Sequence, residues 1–126
     1  MSVTTDHSPD TAIAITPCRA LDTRSSPYFV KPVFGTTAFN LLMSGCSDLG
    51  ASAQAFVLNS TVVPTTSLGF LTLWPDLQAR PLASTVNSDG SVASNLAITP
   101  ARTGIIDIFA SDPTQVILDV SGYFAP

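Results

Sequence analysis

The sequence predicts an all-β protein, an antiparallel two-sheet β-sandwich or jelly-roll-like fold with about eight or nine short strands. Short apolar and β-branched runs recur along the chain, turn-forming residues separate them at close spacing, and no amphipathic helix of useful length occurs. A chain of 126 residues has the length of one domain. We therefore expect residues 11–126 to form a single β-sandwich domain. Residues 1–10 are polar and aperiodic, and we expect a flexible amino-terminal arm there.

The first strands are expected before residue 44. Residues 11–16 alternate small and apolar side chains as a short strand does, and residues 19–24 form a second short strand or an ordered turn. Residues 36–43 are expected to be another strand. Neither 11–16 nor 36–43 carries a charge, although exposed strand edges are normally protected by charged residues.

Three β-hairpins are predicted because breaker residues separate pairs of apolar runs. The first arm of the first hairpin is largely apolar on both faces, which favours a central strand. The hairpins are expected at residues 53–74 with the turn at 64–67, at 82–98 with the turn around Asp89 and Gly90, and at 104–125 with the turn at 111–114.

The charge content of the chain is low. Charged residues make up 11% of the sequence and the net charge is −4, with the five basic residues scattered singly. No basic stripe is available to neutralise phosphates, so we expect no nucleic-acid partner. No apolar run is long enough to cross a bilayer, and residues 1–10 lack the pattern of a signal peptide, which leaves a removed leader or another export route. A surface this poor in charge favours an extracellular or cell-surface protein that is covered by assembly.

The two cysteines, Cys18 and Cys46, are expected to form a disulfide worth about 3 kcal/mol on a chain-entropy estimate. The alternative is a pair of inert buried thiols. Their spacing matches no zinc motif and His7 is the single histidine, so no metal site and no cofactor are expected.

Three charged residues are assigned a structural role. Asp22 and Arg24 lie two positions apart and are expected to form an ion pair, with a binding pair as the alternative reading. Asp119, within an apolar strand, is expected to accept charge-assisted bonds from Arg24 or from loop amides. No nucleophile with a base in reach and no catalytic motif is recognisable, so no catalytic residues are predicted and the chain is not expected to be an enzyme.

Several aromatic residues are candidates for a ligand or subunit contact. Tyr28, Phe29 and Phe34 lie in a proline-containing loop, and Trp74 ends a predicted strand beside a proline. A flat ring can stack on the apolar face of a sugar, so these residues suggest a carbohydrate platform. The alternative is that they cap the core or pack between subunits.

Four motifs carry a resemblance to a known group of proteins. These are the Leu-Asp-Thr-Arg run at 21–24, Gly-Phe-Leu-Thr-Leu-Trp-Pro at 69–75, Asn87 with Asn95, and Asp-Val-Ser-Gly-Tyr-Phe at 119–124. In this order they resemble secreted repeat modules of actinobacterial and acidobacterial surface proteins, over residues 13–126. The resemblance implies an all-β extracellular unit with no catalytic residues to transfer.

The function predicted from these features is structural. We expect a non-catalytic extracellular module that self-associates into a homo-oligomer, fibre or surface layer through its strand edges and amino-terminal arm. The alternative is a carbohydrate-binding accessory module that uses Trp74 and the loop with Tyr28, Phe29 and Phe34.

Overall fold

The computed structural model describes residues 11–25, 31–101 and 103–126, and this part of the chain is all-β. It contains seven strands, and its one helical element is a single 3-10 turn at Leu41–Met43. All strand pairs are antiparallel. The strands are β1 (Thr11–Asp22), β2 (Val33–Asn40), β3 (Ala55–Pro64), β4 (Leu68–Pro75), β5 (Val86–Ser88), β6 (Ala93–Pro100) and β7 (Ile105–Ala125).

Strand β7 is the axis of the sheet. It is 21 residues long and pairs with four other strands. Strands β1 and β2 follow one another along one side of β7, and strands β3 and β4 follow one another along the other side. Strands β6 and β5 then line β3 and β4, respectively. The sheet therefore consists of four long antiparallel runs: β1 with β2, β7 alone, β3 with β4, and β6 with β5. The run formed by β7 is continuous, and each of the other three is interrupted near its middle.

The three predicted hairpins are wrong, because each turn signal lies within a long run and not at a chain reversal. β3 and β4 do not pair with each other across residues 64–67, and β5 and β6 do not pair across Asp89 and Gly90. Residues 111–114 lie inside β7, which continues through them. The turn signals therefore mark the places where the long runs bend or break.

Local hydrogen bonding explains why β7 continues through its turn-like sequence. Pro113 has no N–H to donate, but it lies opposite the gap between β3 and β4. Thr114 pairs with the end of β3, Ala110 pairs with β4, and the residues of β7 between them pair with neither strand. In this gap the Ser111 hydroxyl accepts the Phe70 N–H at 2.9 Å, and the Asp112 carboxylate accepts the Gly69 N–H at 3.1 Å. Side chains thus replace the missing ladder bonds.

The sheet folds back on itself and is close to a barrel. A straight strand of the length of β7 would span roughly 66 Å. Pro100 pairs with Ala55, and Ala55 pairs with Phe124, so Pro100 lies beside the carboxyl-terminal end of β7. The next strand residue along the chain is Ile105, which is the first residue of β7 and lies at its opposite end. Five residue steps reach at most about 18 Å, so the two ends must be close. The predicted division into two separate sheets and the predicted eight or nine strands are not confirmed.

The core lies inside this folded sheet. In β3 the even-numbered residues from 56 to 62 are buried, and in β7 those from 106 to 110 and from 114 to 120 are buried, because strand side chains alternate between faces. Phe56, Leu58, Ile108 and Leu118 are fully buried and belong to one hydrophobic cluster. Both halves of β7 therefore contribute to a single core.

The predicted disulfide between Cys18 and Cys46 is confirmed. Cys18 belongs to β1, and Cys46 lies in the connection from the 3-10 turn to β3 and is buried. The bond therefore ties the edge strand β1 to the connection that leads into β3.

One buried hydroxyl in the described part of the chain has no hydrogen-bond partner. Ser60 lies on the inner face of β3 and is fully buried. An unsatisfied buried polar atom costs free energy, so Ser60→Ala is expected to leave stability unchanged or raise it by up to about 1 kcal/mol in urea unfolding.

The matched control for this substitution is Thr23→Ala. Thr23 is also fully buried, but its hydroxyl accepts the Val116 N–H at 2.9 Å and donates to the side chain of Gln115. Removing it leaves partners unsatisfied, and a loss of about 1–3 kcal/mol is expected. An equal loss in both variants would contradict the assignment of Ser60.

Candidate functional site

Strand β6 is an edge strand with an inverted face pattern. It pairs with β3 on one side, and no strand in residues 11–25, 31–101 or 103–126 pairs with its other side. Leu96 and Ile98 are 60% and 59% exposed on the face away from the core. A half-buried strand normally turns its large apolar residues inward and its polar residues outward. The outer face of β6 is therefore organised as a surface to be covered.

Small and polar residues occupy the inner face of β6. Ala93 and Ala97 are half-buried, and Thr99 is buried. Asn95 alternates to the same side but is exposed, and its amide donates to the Thr85 carbonyl at 2.9 Å. This bond and the two alanines fix which face of β6 turns inward, so its larger side chains are left outside.

A continuous row of outer-face residues results. Val92 directly precedes β6 and is also exposed, and Ser94 lies two positions before Leu96 on the outer face of the strand. We call Val92, Ser94, Leu96 and Ile98 the β6 outer row. Val92, Leu96 and Ile98 are three of the seven large apolar side chains exposed in the described part of the chain. The row carries no charge.

The backbone groups of the β6 outer row also face away from β3. Pro100 pairs with Ala55 but has no N–H, and the neighbouring Ala101 N–H donates to the Gln54 carbonyl at 3.0 Å. Because hydrogen-bonded and non-hydrogen-bonded pairs alternate along an antiparallel ladder, Ser94, Leu96 and Ile98 direct their N–H and C=O groups to the open edge. The register with β3 has no shift, so this edge is regular over its length.

The predicted ion pair is part of a larger network. Arg24 contacts Asp22 with two nitrogens, at 2.9 and 3.0 Å, and its backbone N–H donates to the same carboxylate. Asp119 pairs with Arg19 at 3.0 Å and not with Arg24, and Arg19 also approaches Asp22 at 3.7 Å. The Arg24 side chain, as the main cause, holds the pKa of Asp22 below its ordinary value, although burial opposes it. Each of these carboxylates is therefore paired with an arginine, and the structural role of the pairs stays a prediction.

Trp74 is covered and offers no ring face to a ligand. It is 5% exposed, and its indole N–H donates to the Gln78 carbonyl at 2.9 Å. The connection from β4 to β5 also covers the neighbouring rings, because the Arg80 guanidinium lies 3.9 Å from the centre of Phe109 and 6.0 Å from that of Phe70. The carbohydrate hypothesis therefore loses Trp74 as its platform.

Phe34 is the predicted aromatic that the structure exposes. It is 67% exposed and lines an open cleft of about 540 Å³ with Lys31, Pro32, Thr37 and Ala38. Tyr28, Phe29 and the amino-terminal arm at residues 1–10 lie outside the described residues.

A carboxyl pair adjoins the covered tryptophan. Asp107 lies opposite Trp74 in the register of β7 and β4. Burial, together with a hydrogen bond to Asp76 and the charge of Asp76, raises the pKa of Asp107 above its ordinary value. In the described residues no group of three or more histidine, cysteine, aspartate or glutamate side chains could hold a metal ion.

The raised pKa of Asp107 gives a pH-dependent prediction. Stability that depends on protonated Asp107 is present below the ordinary aspartate pKa and is lost as pH rises through the higher folded-state pKa. Asp107→Asn removes this loss, so the variant should gain stability relative to the wild type between pH 3 and pH 7. Urea midpoints at both pH values measure the difference, and an unchanged difference would contradict the assignment.

The β6 outer row and the carboxyl pair of Asp76 and Asp107 were not predicted from the sequence. In the run 92–98 the larger apolar residues stand at 92, 96 and 98, but alternation alone does not tell which face they occupy. The sequence does not predict the pairing of Asp119 with Arg19, because 100 positions separate the two residues.

Comparison with family models, with curated proteins and with solved structures found no match for this chain. No helix in the described part of the chain has the length and hydropathy needed to cross a membrane.

Proposed function

We propose that this protein is a non-catalytic extracellular structural module that associates with copies of itself through its strand edges. The resemblance to secreted surface modules is part of this proposal and stays a prediction. The observation that carries it is the edge strand β6, which is uncharged and pairs with β3 alone among the described strands.

The two edges of the sheet are poor in charge but differ in how well they are protected. Strands β1 and β2 each pair with β7 alone among the described strands, and β6 and β5 form the opposite edge. The four edge strands contain no lysine, and Arg19 and Asp22 of β1 are their only charged residues. Natural sheets usually guard an open edge with charge, proline or a bulge. β1 contains Pro17, and both β1 and β2 have register shifts against β7, so this edge is partly protected. β6 has no register shift against β3 and a single proline at its end, and this edge therefore favours pairing with another chain.

The disulfide supports an oxidising location. Disulfides persist in secreted and surface proteins and are rare in reducing compartments. The bond between Cys18 and Cys46 therefore favours an extracellular or cell-surface site of action.

Light scattering on the purified protein, with negative-stain microscopy of the same sample, tests the proposal. A mass well above the 13.1 kDa of one chain, or visible rings, fibres or layers, is expected. A monomer at every concentration up to the millimolar range would rule the proposal out.

A deletion tests whether the amino-terminal arm contributes. Removing residues 1–10 leaves β1 complete, whereas a deletion to residue 16 would remove residues such as Thr11 and Ala14 that pair with β7. Exchange of the arm between copies predicts that the shorter deletion lowers the native mass. An unchanged mass would leave the strand edges as the contact.

A carbohydrate-binding accessory module is the second candidate. The observation that favours it is exposed Phe34 in its open cleft, beside Lys31 and Thr37. An exposed ring in a concave site can stack on a sugar, and neighbouring polar groups can bind hydroxyls.

Phe34→Ala and Met43→Ala separate this candidate from a general surface effect. Met43 is also apolar and well exposed but does not line the cleft. Polysaccharide pull-down should be lost in the Phe34 variant and retained in the Met43 variant. No binding by the wild type across a broad glycan array would exclude the candidate.

A further inference from the structure

We infer that β6 is the site of self-association, and that it pairs antiparallel with β6 of a second copy around a two-fold axis at Leu96. The inference rests on the proposed function and names its partner surface and register. It follows from the regularity, the free backbone groups and the uncharged outer row of this strand.

The regularity of β6 distinguishes it from the opposite edge. The pairing of β1 with β7 shifts register between Ala14 and Cys18 and again between Arg19 and Leu21, and the pairing of β2 shifts between Val33 and Gly35. Such irregularities are among the features that protect an edge from pairing. β6 has no shift in its pairing with β3. The long edge best suited to a regular strand is therefore β6, and its best-matched partner in a second copy is β6 itself.

The free backbone groups define the register. Ser94, Leu96 and Ile98 point their N–H and C=O groups to the open edge. This follows from the hydrogen bond of the Ala101 N–H to the Gln54 carbonyl, which makes the neighbouring pair of Pro100 and Ala55 a non-hydrogen-bonded pair. An antiparallel pair centred on Leu96 places Leu96 opposite its copy and Ser94 opposite Ile98 of the copy. Each of these pairs exchanges two hydrogen bonds. Pro100, which lacks a donor, lies outside these exchanging pairs.

The side chains agree with the same register. Residues 94, 96 and 98 share the outer face, so the two copies bring their β6 outer rows side by side. Leu96 meets Leu96 across the axis, and Ser94 is small enough to lie beside Ile98. Each chain carries a net charge of −4, so a contact between copies must avoid opposing like charges. β6 supplies an uncharged surface that is complementary to itself.

Ser94→Pro and Ser94→Ala form the first test. Ser94 directs its N–H to the open edge, so proline removes an intermolecular donor while leaving the ladder to β3 in place. The proline variant should weaken association at least about tenfold, and the alanine variant should associate as the wild type does. Sedimentation over a concentration series measures both.

Charge substitutions at Leu96 test the two-fold register. Because Leu96 is exposed, Leu96→Lys and Leu96→Asp should each fold, and each should be monomeric because like charges oppose at the axis. An equimolar mixture should regain the dimer, since lysine then faces aspartate. Leu82→Lys, an exposed leucine outside the β6 outer row, is the control and should keep the native mass.

The outcomes separate this inference from the proposed function. Monomeric single-charge variants with rescue on mixing support both. An assembly that survives Ser94→Pro and Leu96→Lys overturns the role of β6 and leaves self-association through another surface. Loss of assembly without rescue on mixing overturns the two-fold register. A wild-type monomer overturns both.

Discussion

Replacing Cys18 and Cys46 together with alanine is expected to lower the free energy of unfolding by about 3.5 kcal/mol. The disulfide closes a loop with a sequence separation of 28, and the estimate follows from the conformational entropy that this cross-link removes from the unfolded chain. For a domain of this size the melting temperature should fall by roughly 10 °C or more. Urea unfolding and thermal melts under oxidising conditions measure the loss.

Single cysteine variants provide the control. Cys18→Ala and Cys46→Ala each abolish the same cross-link, so each should lose about as much stability as the double variant. Costs that add up across the two sites would instead indicate independent packing effects. A total loss below about 1 kcal/mol would contradict a stabilising role of the bond.

Phe56→Ala should produce the second large effect, a loss of about 3–5 kcal/mol. Phe56 is fully buried in β3 and belongs to the hydrophobic cluster that both halves of β7 share. Truncation removes apolar contacts and leaves a cavity that a folded sheet cannot easily close. Small domains have a total stability of roughly 5–15 kcal/mol, so the variant is expected to be marginal at 37 °C.

Thr61→Ala is the comparison within the same strand. Thr61 points to the outer face of β3 and is half-buried. Its removal should cost less than about 1 kcal/mol. Similar costs at positions 56 and 61 would show that the inner face of β3 does not form the core.

The all-β class and the central position of β3 could be predicted from local sequence, because its apolar run covers both faces, and β3 pairs with both β7 and β6. Phe56, Leu58 and Val62 repeat with period two in the sequence, and all three are fully buried. The disulfide could also be predicted, since two cysteines in a charge-poor chain permit one pairing.

The chain reversals could not be predicted, because a turn signal does not distinguish a reversal from a bend. Gly90 has a positive φ of 116°, as a turn requires, and the Asp89 side chain accepts the Ser91 N–H. The strands on either side nevertheless pair with β4 and β3 and not with each other. Pairing of this kind is decided by contacts between distant segments, which local propensity does not encode.

The exposed outer face of β6 could not be predicted for the same reason. The face that Leu96 and Ile98 occupy depends on the neighbouring β3 and on the amide of Asn95, which is held by Thr85. Likewise, the burial of Trp74 depends on the carbonyl of Gln78 in the following connection.

The central position of β7 has a consequence for biosynthesis. β7 is the last of the seven strands to leave the ribosome, yet β1 and β2 pair with no other strand in the described part of the chain. Before residues 105–125 emerge, only the pairings of β3 with β6 and of β4 with β5 can form. Sheets built from such distant pairings fold slowly. We therefore expect β1 and β2 to stay unpaired in the nascent chain until translation of residues 105–125 is complete. During that interval the chain is expected to depend on chaperones that bind unfolded segments.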